Sequence, residues 1–517
     1  MKSLATFNWH ELLEQTHGCG GHLAAAHRGF EKVTLETDTR QLGSHDFYVP
    51  LSGASFDGHA FIEQAYGQGA VGSLVAADYL EAHPELLRFP NLIAVTDTLL
   101  AYQALARFHR RRSKAKVIAI TGSSGKTTTK EMLFHYLSAM GRTQCTEKNY
   151  NNEVGVPHTL LQIKADTQYA VVEMGMRGLG QIEELAVCAE PDVALITNVG
   201  PAHIGLLGSL QAIAQAKCEV FSGLDPETGV GVINGDDPLL IRQVNFIWSG
   251  QLETFSLGEV EHIHRRPEGG VMFDYNDVTF HVGLPGSHNV MNALGCIKVC
   301  EVLHLPLKKL GKALGWFKGS GHRWSIQPLN ASGTWVVIND AYNANPDSMR
   351  AALEAFVAAS PQSLQPRKDK EKPQKSKPED AEPVQLPETE TLPVPVPAPV
   401  ENLPQPCRIA ILGEMSELGD FSRDYHQALG EWLAAKGGLH HLLVVGEGAK
   451  GICEGLGEEA VACTFFATAD EVVPWLEARK NETGYEHVAL LLKASRACQL
   501  ESVIEPLTAA LNQTVSV

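Results

Sequence analysis

The run Val117-Ile118-Ala119-Ile120 passes directly into Thr121-Gly122-Ser123-Ser124-Gly125-Lys126-Thr127-Thr128-Thr129, and this junction constrains the fold more than any other stretch. β-Branched apolar residues read as a buried strand, and Lys130-Glu131-Met132-Leu133 beyond the turn read as a helix. A strand ending in a glycine turn at a helix N-terminus presents backbone N–H groups to phosphate oxygens. Gly122, Ser123, Ser124, Gly125 and Thr128 would line that cradle. Lys126 would reach the terminal phosphates, and the Thr127 hydroxyl would meet the accompanying Mg²⁺. The longer phosphate-loop spacing would place a glycine at 120, where Ile120 stands, so the shorter Gly122-x-x-Gly125-Lys126-Thr127 form carries the reading. A glycine turn with a solvated lysine is the plainer alternative. The flanking strand and helix favour an ATP site.

The chain has 517 residues, enough for about three domains. Its formal net charge of -18 disfavours nucleic acid and anionic membrane as partners. Ten scattered cysteines without a C-x-x-C pair fit a reducing compartment, and Cys296 and Cys300 share a helix face as small core residues. The N-terminus lacks the apolar core of a signal peptide, and no apolar run is long enough to span a bilayer. A cytoplasmic monomer is expected.

Residues 1–105 carry strands and polar turns, including Asp38-Thr39-Arg40 and Ser52-Gly53-Ala54-Ser55-Phe56-Asp57-Gly58-His59. Residues 106–322 alternate near-continuous apolar strands with helices, the pattern of a parallel sheet covered on both faces. Tyr169–Gly175, Asp192–Val199 and Val230–Asp237 are three of these strands. Glu173, Asn198, His203 and Asn234 then fall at the carboxyl edge, where such sheets bind ligands. Residues 323–517 resume the α/β pattern after an interruption. Pro361 to Pro406 holds 12 of the 27 prolines, with basic and then acidic clusters, so a disordered, partly polyproline insert at 361–406 is expected. The architecture is thus α/β: a central parallel-sheet P-loop ATPase domain flanked by a small N-terminal α/β domain and a Rossmann-like C-terminal domain.

A series of ordered blocks extends the reading. After the phosphate loop come Asn149-Tyr150-Asn151-Asn152-Glu153-Val154-Gly155, Glu173-Met174-Gly175-Met176, Ala202-His203, Ala216-Lys217-Cys218-Glu219 and Gly286-Ser287-His288-Asn289-Val290-Met291-Asn292. Asp340-Ala341-Tyr342-Asn343-Ala344-Asn345-Pro346-Asp347-Ser348 and Gly413-Glu414-Met415-Ser416-Glu417-Leu418-Gly419 complete the series. Outside the insert, the chain resembles the Mur ligase family along essentially its full length. The last two blocks point to the member that acts on D-alanyl-D-alanine.

The resemblance implies an ATP-dependent ligase of peptidoglycan precursor synthesis. The terminal carboxylate of UDP-N-acetylmuramoyl-tripeptide would take the γ-phosphate of ATP, and the amine of D-Ala-D-Ala would displace it. It also implies roles. Thr127 and Glu173 would hold one Mg²⁺ and His203 a second. Lys217 would react with CO₂ to become a carbamate beside the metal, the plainer alternative being a salt-bridged helical lysine. Asn289 and Asn292 would lie on the adenine side, with Arg323, Asp340, Tyr342 and Asn343 reaching phosphate and ribose. Asn151 and Asn152 would meet the muramoyl peptide, and Thr39, Arg40, Ser52, Gly53, Asp57 and His59 the uridine nucleotide. Lys493, Ser495 and Arg496 would stand near the dipeptide. Thr39 replaces the family's usual Ser, Ala494 its usual Gly, and the insert is no family feature. A Mur-type ligase adding the third residue and a nucleotide-dependent scaffold docking through the insert are the competing readings. The residues do not distinguish diaminopimelate from lysine as that third residue.

Overall fold

The computed structural model describes residues 5–512 apart from 25–28, 54, 268, 316, 318, 320–322, 366–402 and 458–460. Three six-stranded sheets follow one another along the chain. In the first, the strands Val33–Glu36, Asp46–Tyr48, Gly72–Ala76 and Leu92–Val95 run parallel. Short antiparallel strands, Thr6–Phe7 and His22–Leu23, close its two edges.

The second sheet is parallel throughout, in the order Thr143–Cys145, Tyr169–Glu173, Lys116–Thr121, Val193–Ile196, Val230–Asn234, Gln251–Phe255. Val117 to Ile120, Ala170 to Val172 and Ala194 to Ile196 are fully buried, because helices cover both faces. Lys116–Thr121 sits between strands that leave in opposite directions along the sheet. Its carboxyl end therefore opens at a topological switch point, and the phosphate loop occupies it. Helix Lys126–Ser138, with Gly125 as its N-cap, begins four residues before the sequence placed its opening at Lys130. Helix Ser287–Val302 buries Cys296 and Cys300 in the core, as their spacing suggested. A three-stranded antiparallel sheet, Glu261–Arg265, Val271–Tyr275 and Val278–Val282, packs beside it.

The third sheet has the order Ser325–Pro328, Trp335–Asn339, Val488–Lys493, Cys407–Leu412, His441–Val445, Ala462–Phe466, parallel except for its first strand. Helix Pro346–Val357 follows the strand Trp335–Asn339. Asn345 caps it and Pro346, whose fixed φ suits the first turn, opens it. Of the proline-rich insert, residues 361–365 and 403–406 are described, with Leu364 buried, whereas 366–402 lie outside the described residues. Helix Thr98–Arg112 runs through residues 105 and 106 and ties the first sheet to the second. Its Arg107 and Arg111 pair with Glu190, Arg110 with Asp192, and Arg112 with Glu11. Among the described residues no helix is long and apolar enough to cross a membrane.

Candidate active site

Close contacts at the phosphate loop leave no room for side chains at its glycines. Gly122 has φ +146° and Gly125 φ +81°. A Cβ on Gly122 would lie 1.9 Å from Thr197 Oγ1, and one on Gly125 2.3 Å from Asn292 Oδ1, so only glycine fits. The neighbouring strand end sets the loop's shape. The Thr197 hydroxyl donates to the Ser124 carbonyl at 2.6 Å, and the Asn198 amide donates to the same oxygen at 3.1 Å. Asn198 also accepts the Ser124 N–H at 2.9 Å. The Ser123 hydroxyl exchanges hydrogen bonds with Gly200. Lys126 Nζ folds back to donate to the Gly122 carbonyl at 2.6 Å. Burial pushes its pKa down, Arg323 adds to that, and Glu173 and Glu417 oppose it. Thr128 follows in the first helical turn.

Glu173, the last residue of its strand, is buried beside this loop. Its Oε2 accepts from the Thr127 hydroxyl at 3.0 Å and its Oε1 from the Asn151 amide at 2.8 Å. Lys130 Nζ, also buried, stands 3.9 Å away and donates to the Thr146 carbonyl at 2.8 Å. Asn152 instead accepts the Gly155 N–H at the start of the helix Gly155–Leu161 and faces solvent.

Lys217 is fully buried on helix Leu210–Cys218, and its Nζ has no hydrogen-bond partner. Among the described residues no salt bridge accounts for it. Burial first, and then the charge of Lys126, holds its pKa well below the usual lysine range, with Glu219 opposing. Burial thus disfavours the charged form of this amine. His203, with φ +67°, caps the short helix Ile204–Leu207 and touches the Glu417 carboxylate. The hydrogen bond from His203 is the largest influence holding the Glu417 carboxyl below its usual range. Burial opposes it, and the charges of His203, Arg177 and Lys126 assist.

The third sheet reaches the loop by two further contacts. Asn345 donates to the Ser124 hydroxyl at 2.8 Å, and the Arg323 guanidinium to the Thr127 hydroxyl at 3.0 Å. Arg323 also lies over the Tyr342 ring, 4.7 Å from its centre. Asp340 pairs with the buried Lys493 at 2.7 Å, and Lys493 donates to the Asn343 carbonyl at 3.2 Å. The structure thus joins a residue expected on the ribose side to one expected near the dipeptide. Ser495 is buried and accepts the Ser416 N–H, whereas the exposed Arg496 turns away to pair with Glu501. Asn292 donates to Asn289, which donates to the Pro285 carbonyl. Pro285, Gly286, Trp324, Ser325, Ala355 and Ala358 border a cavity of about 480 Å³ beyond that end of the helix.

Next to the first sheet, the strands Ser52–Gly53 and Phe56–Asp57 form a two-stranded antiparallel hairpin, in which the Ser52 hydroxyl donates to Asp57 at 2.7 Å and Asp57 meets His59 at 2.6 Å. The His59 ring accepts the Ala76 N–H and stacks on Tyr79, 4.8 Å between centres. Gly53 lies against the Phe56 ring. Thr39 and Arg40 form a turn capped by Asp38, and Arg40 pairs with that carboxylate at the surface. This cluster and the phosphate loop belong to different sheets. Sequence reasoning assigned no role to Lys130, Thr197, Asn345 or Glu417, and none to Tyr79. Of these, Asn345 carried a signal, since Asn-Pro-Asp-Ser is a cap pattern.

Residues 120–300 match the Mur ligase middle domain. Over 479 residues, 92% of this chain and 91% of the relative, the chain is 34% identical to the UDP-N-acetylmuramoyl-tripeptide–D-alanyl-D-alanine ligase of Synechocystis sp.. A crystal structure of MurF from Acinetobacter baumannii is 28% identical and covers 98% of this chain and 100% of its own, with a TM-score of 0.81. The MurF ligase of Thermotoga maritima in complex with ADP, 23% identical, shares the fold over 92% of this chain and 97% of its own, with a TM-score of 0.71.

Proposed function

The chain belongs to the Mur ligase family, and from that premise we propose that it joins D-alanyl-D-alanine to UDP-N-acetylmuramoyl-tripeptide, converting ATP to ADP and phosphate. A carboxylate is a poor electrophile. An oxygen of the tripeptide's terminal carboxylate attacks the γ-phosphorus, the bond to the bridging oxygen breaks and ADP leaves, and the resulting acyl phosphate carries a good leaving group. The dipeptide amine then attacks the acyl carbon, phosphate departs with that oxygen, and a proton is lost from nitrogen.

The phosphate loop holds the nucleotide, and Lys126, released from the Gly122 carbonyl, balances charge on the phosphoryl group in flight. Asn289 and Asn292 lead from the loop toward the cavity at Pro285 and Gly286, which takes the adenosine end. Arg323, Tyr342 and Asn343, with the Asp340–Lys493 pair, approach from the third sheet. The cluster Thr39, Arg40, Ser52, Gly53, Asp57 and His59 receives the uridine nucleotide, with Asn151 and Asn152 toward the peptide. Ser495 and Arg496 serve the dipeptide side. The chain divides at 1–105, 106–322 and 323–517 and acts as a cytoplasmic monomer.

The residues fit Mg²⁺. Thr127 offers a hydroxyl and Glu173 a carboxylate, oxygen donors suited to one such hard cation, and His203 would offer an imidazole to a second. Bound Mg²⁺ would neutralise charge on the phosphates. The observation that carries the reading is the orphaned amine of Lys217. A neutral, buried amine is the form that attacks CO₂. A new N–C bond would give a carbamate with release of a proton, and its anionic oxygens would then be available to hold Mg²⁺. Incubation with ATP, Mg²⁺, UDP-muramoyl-tripeptide and D-Ala-D-Ala tests the reading by product mass. The expected product is the UDP-muramoyl-pentapeptide, with phosphate release requiring both substrates. Phosphate release indifferent to the tripeptide would overturn it.

A further inference from the structure

The loop 413–418 follows strand Cys407–Leu412 at the carboxyl edge of the third sheet. From it the Glu417 side chain reaches the second sheet, where it touches His203 Nδ1 and lies 3.6 Å from Arg177 Nε. Its backbone takes part as well, since the Gly205 N–H donates to the Glu417 carbonyl at 3.0 Å. Gly205 is so close to this loop that a Cβ there would lie 2.4 Å from the Gly419 nitrogen. Both partners adopt φ values that side chains seldom take, +63° at Glu417 and +67° at His203. Two strained residues meeting across a junction indicate that the surrounding structure holds them there.

A histidine that serves a metal through one ring nitrogen commonly bonds a carboxylate through the other, which sets the ring's tautomer and orientation. With Nδ1 against the Glu417 carboxylate, Nε2 is the nitrogen left to ligate. We propose that Glu417 is a positioning residue for His203, forming a carboxylate–histidine pair whose two halves come from different sheets. The pair exists only while the third sheet sits over the second, so assembly of the metal site and seating of the third sheet become one event. This rests on the reading of His203 as a Mg²⁺ ligand.

The test is Mn²⁺ titration of the full chain, followed by electron paramagnetic resonance, with a non-hydrolysable ATP analogue and UDP-muramoyl-tripeptide present. Glu417→Ala is expected to weaken Mn²⁺ binding about 10-fold or more, with tripeptide affinity unchanged. Glu417→Gln, which keeps an acceptor oxygen for Nδ1–H, recovers part of the loss and carries the test should the alanine variant not fold. The double variant with His203→Ala should bind Mn²⁺ no more weakly than His203→Ala alone, because the carboxylate acts through the ring. Wild-type affinity in both Glu417 variants, or losses that add in the double variant, would overturn the proposal. If His203→Ala itself binds Mn²⁺ as the wild type does, the underlying metal reading fails instead.

Discussion

Lys217 shows how much can turn on one atom. A buried amine without a partner is a cost to stability unless another role maintains it. Lys217→Ala should therefore leave the melting temperature unchanged or raised while abolishing ligation. Short carboxylates such as acetate should restore a measurable fraction of turnover by filling the vacated space. Full activity without added acid would contradict the carbamate. His158 gives a second residue-scale outcome. Its ring is largely buried on helix Gly155–Leu161 with Nε2 unpartnered, and burial lowers its pKa to about 4. The unfolded chain binds the proton first, so stability is full above pH 6.5 and falls on acidification toward pH 4. His158→Phe should lessen that loss by on the order of 1–2 kcal/mol, read as the difference between the two chains' pH–melting curves. Identical curves would show that this ring carries none of it.

Helix Pro346–Val357 shows an element working at two levels. Asn345 accepts the Ser348 N–H as its cap and donates to Ser124 of the phosphate loop. Asn345→Ala should cost about 1 kcal/mol of stability and also weaken ADP binding measured by calorimetry, whereas a cap acting alone would leave ADP binding untouched. The elements that position the loop were readable from composition because they obey local rules. Continuous apolar runs gave buried parallel strands, and the tight turn demands glycine at 122 and 125. The opening of this helix is also written locally, in Asn345-Pro346. Lys130 was missed for a different reason, since a lysine on a helix reads as solvated until the fold buries it against Thr146. Arg496 carried a motif but no geometry, and the fold turns it outward. Glu417 meets His203 through tertiary placement that no local pattern encodes.

At the scale of the molecule, three sheets divide the labour of one reaction. The first carries a polar, aromatic cluster, the second the phosphate loop and metal residues, and the third closes contacts with Thr127, Ser124 and His203. The arrangement suits a chemistry in which an activated acid must be kept from water until an amine arrives. In this chemistry the nucleotide's energy passes through the acid's own oxygen. UDP-muramoyl-tripeptide labelled with ¹⁸O in its terminal carboxylate tests this most directly, with D-Ala-D-Ala, ATP and Mg²⁺ supplied and the released phosphate weighed. One ¹⁸O should appear in phosphate for each pentapeptide formed. Pentapeptide accompanied by unlabelled phosphate would contradict the account.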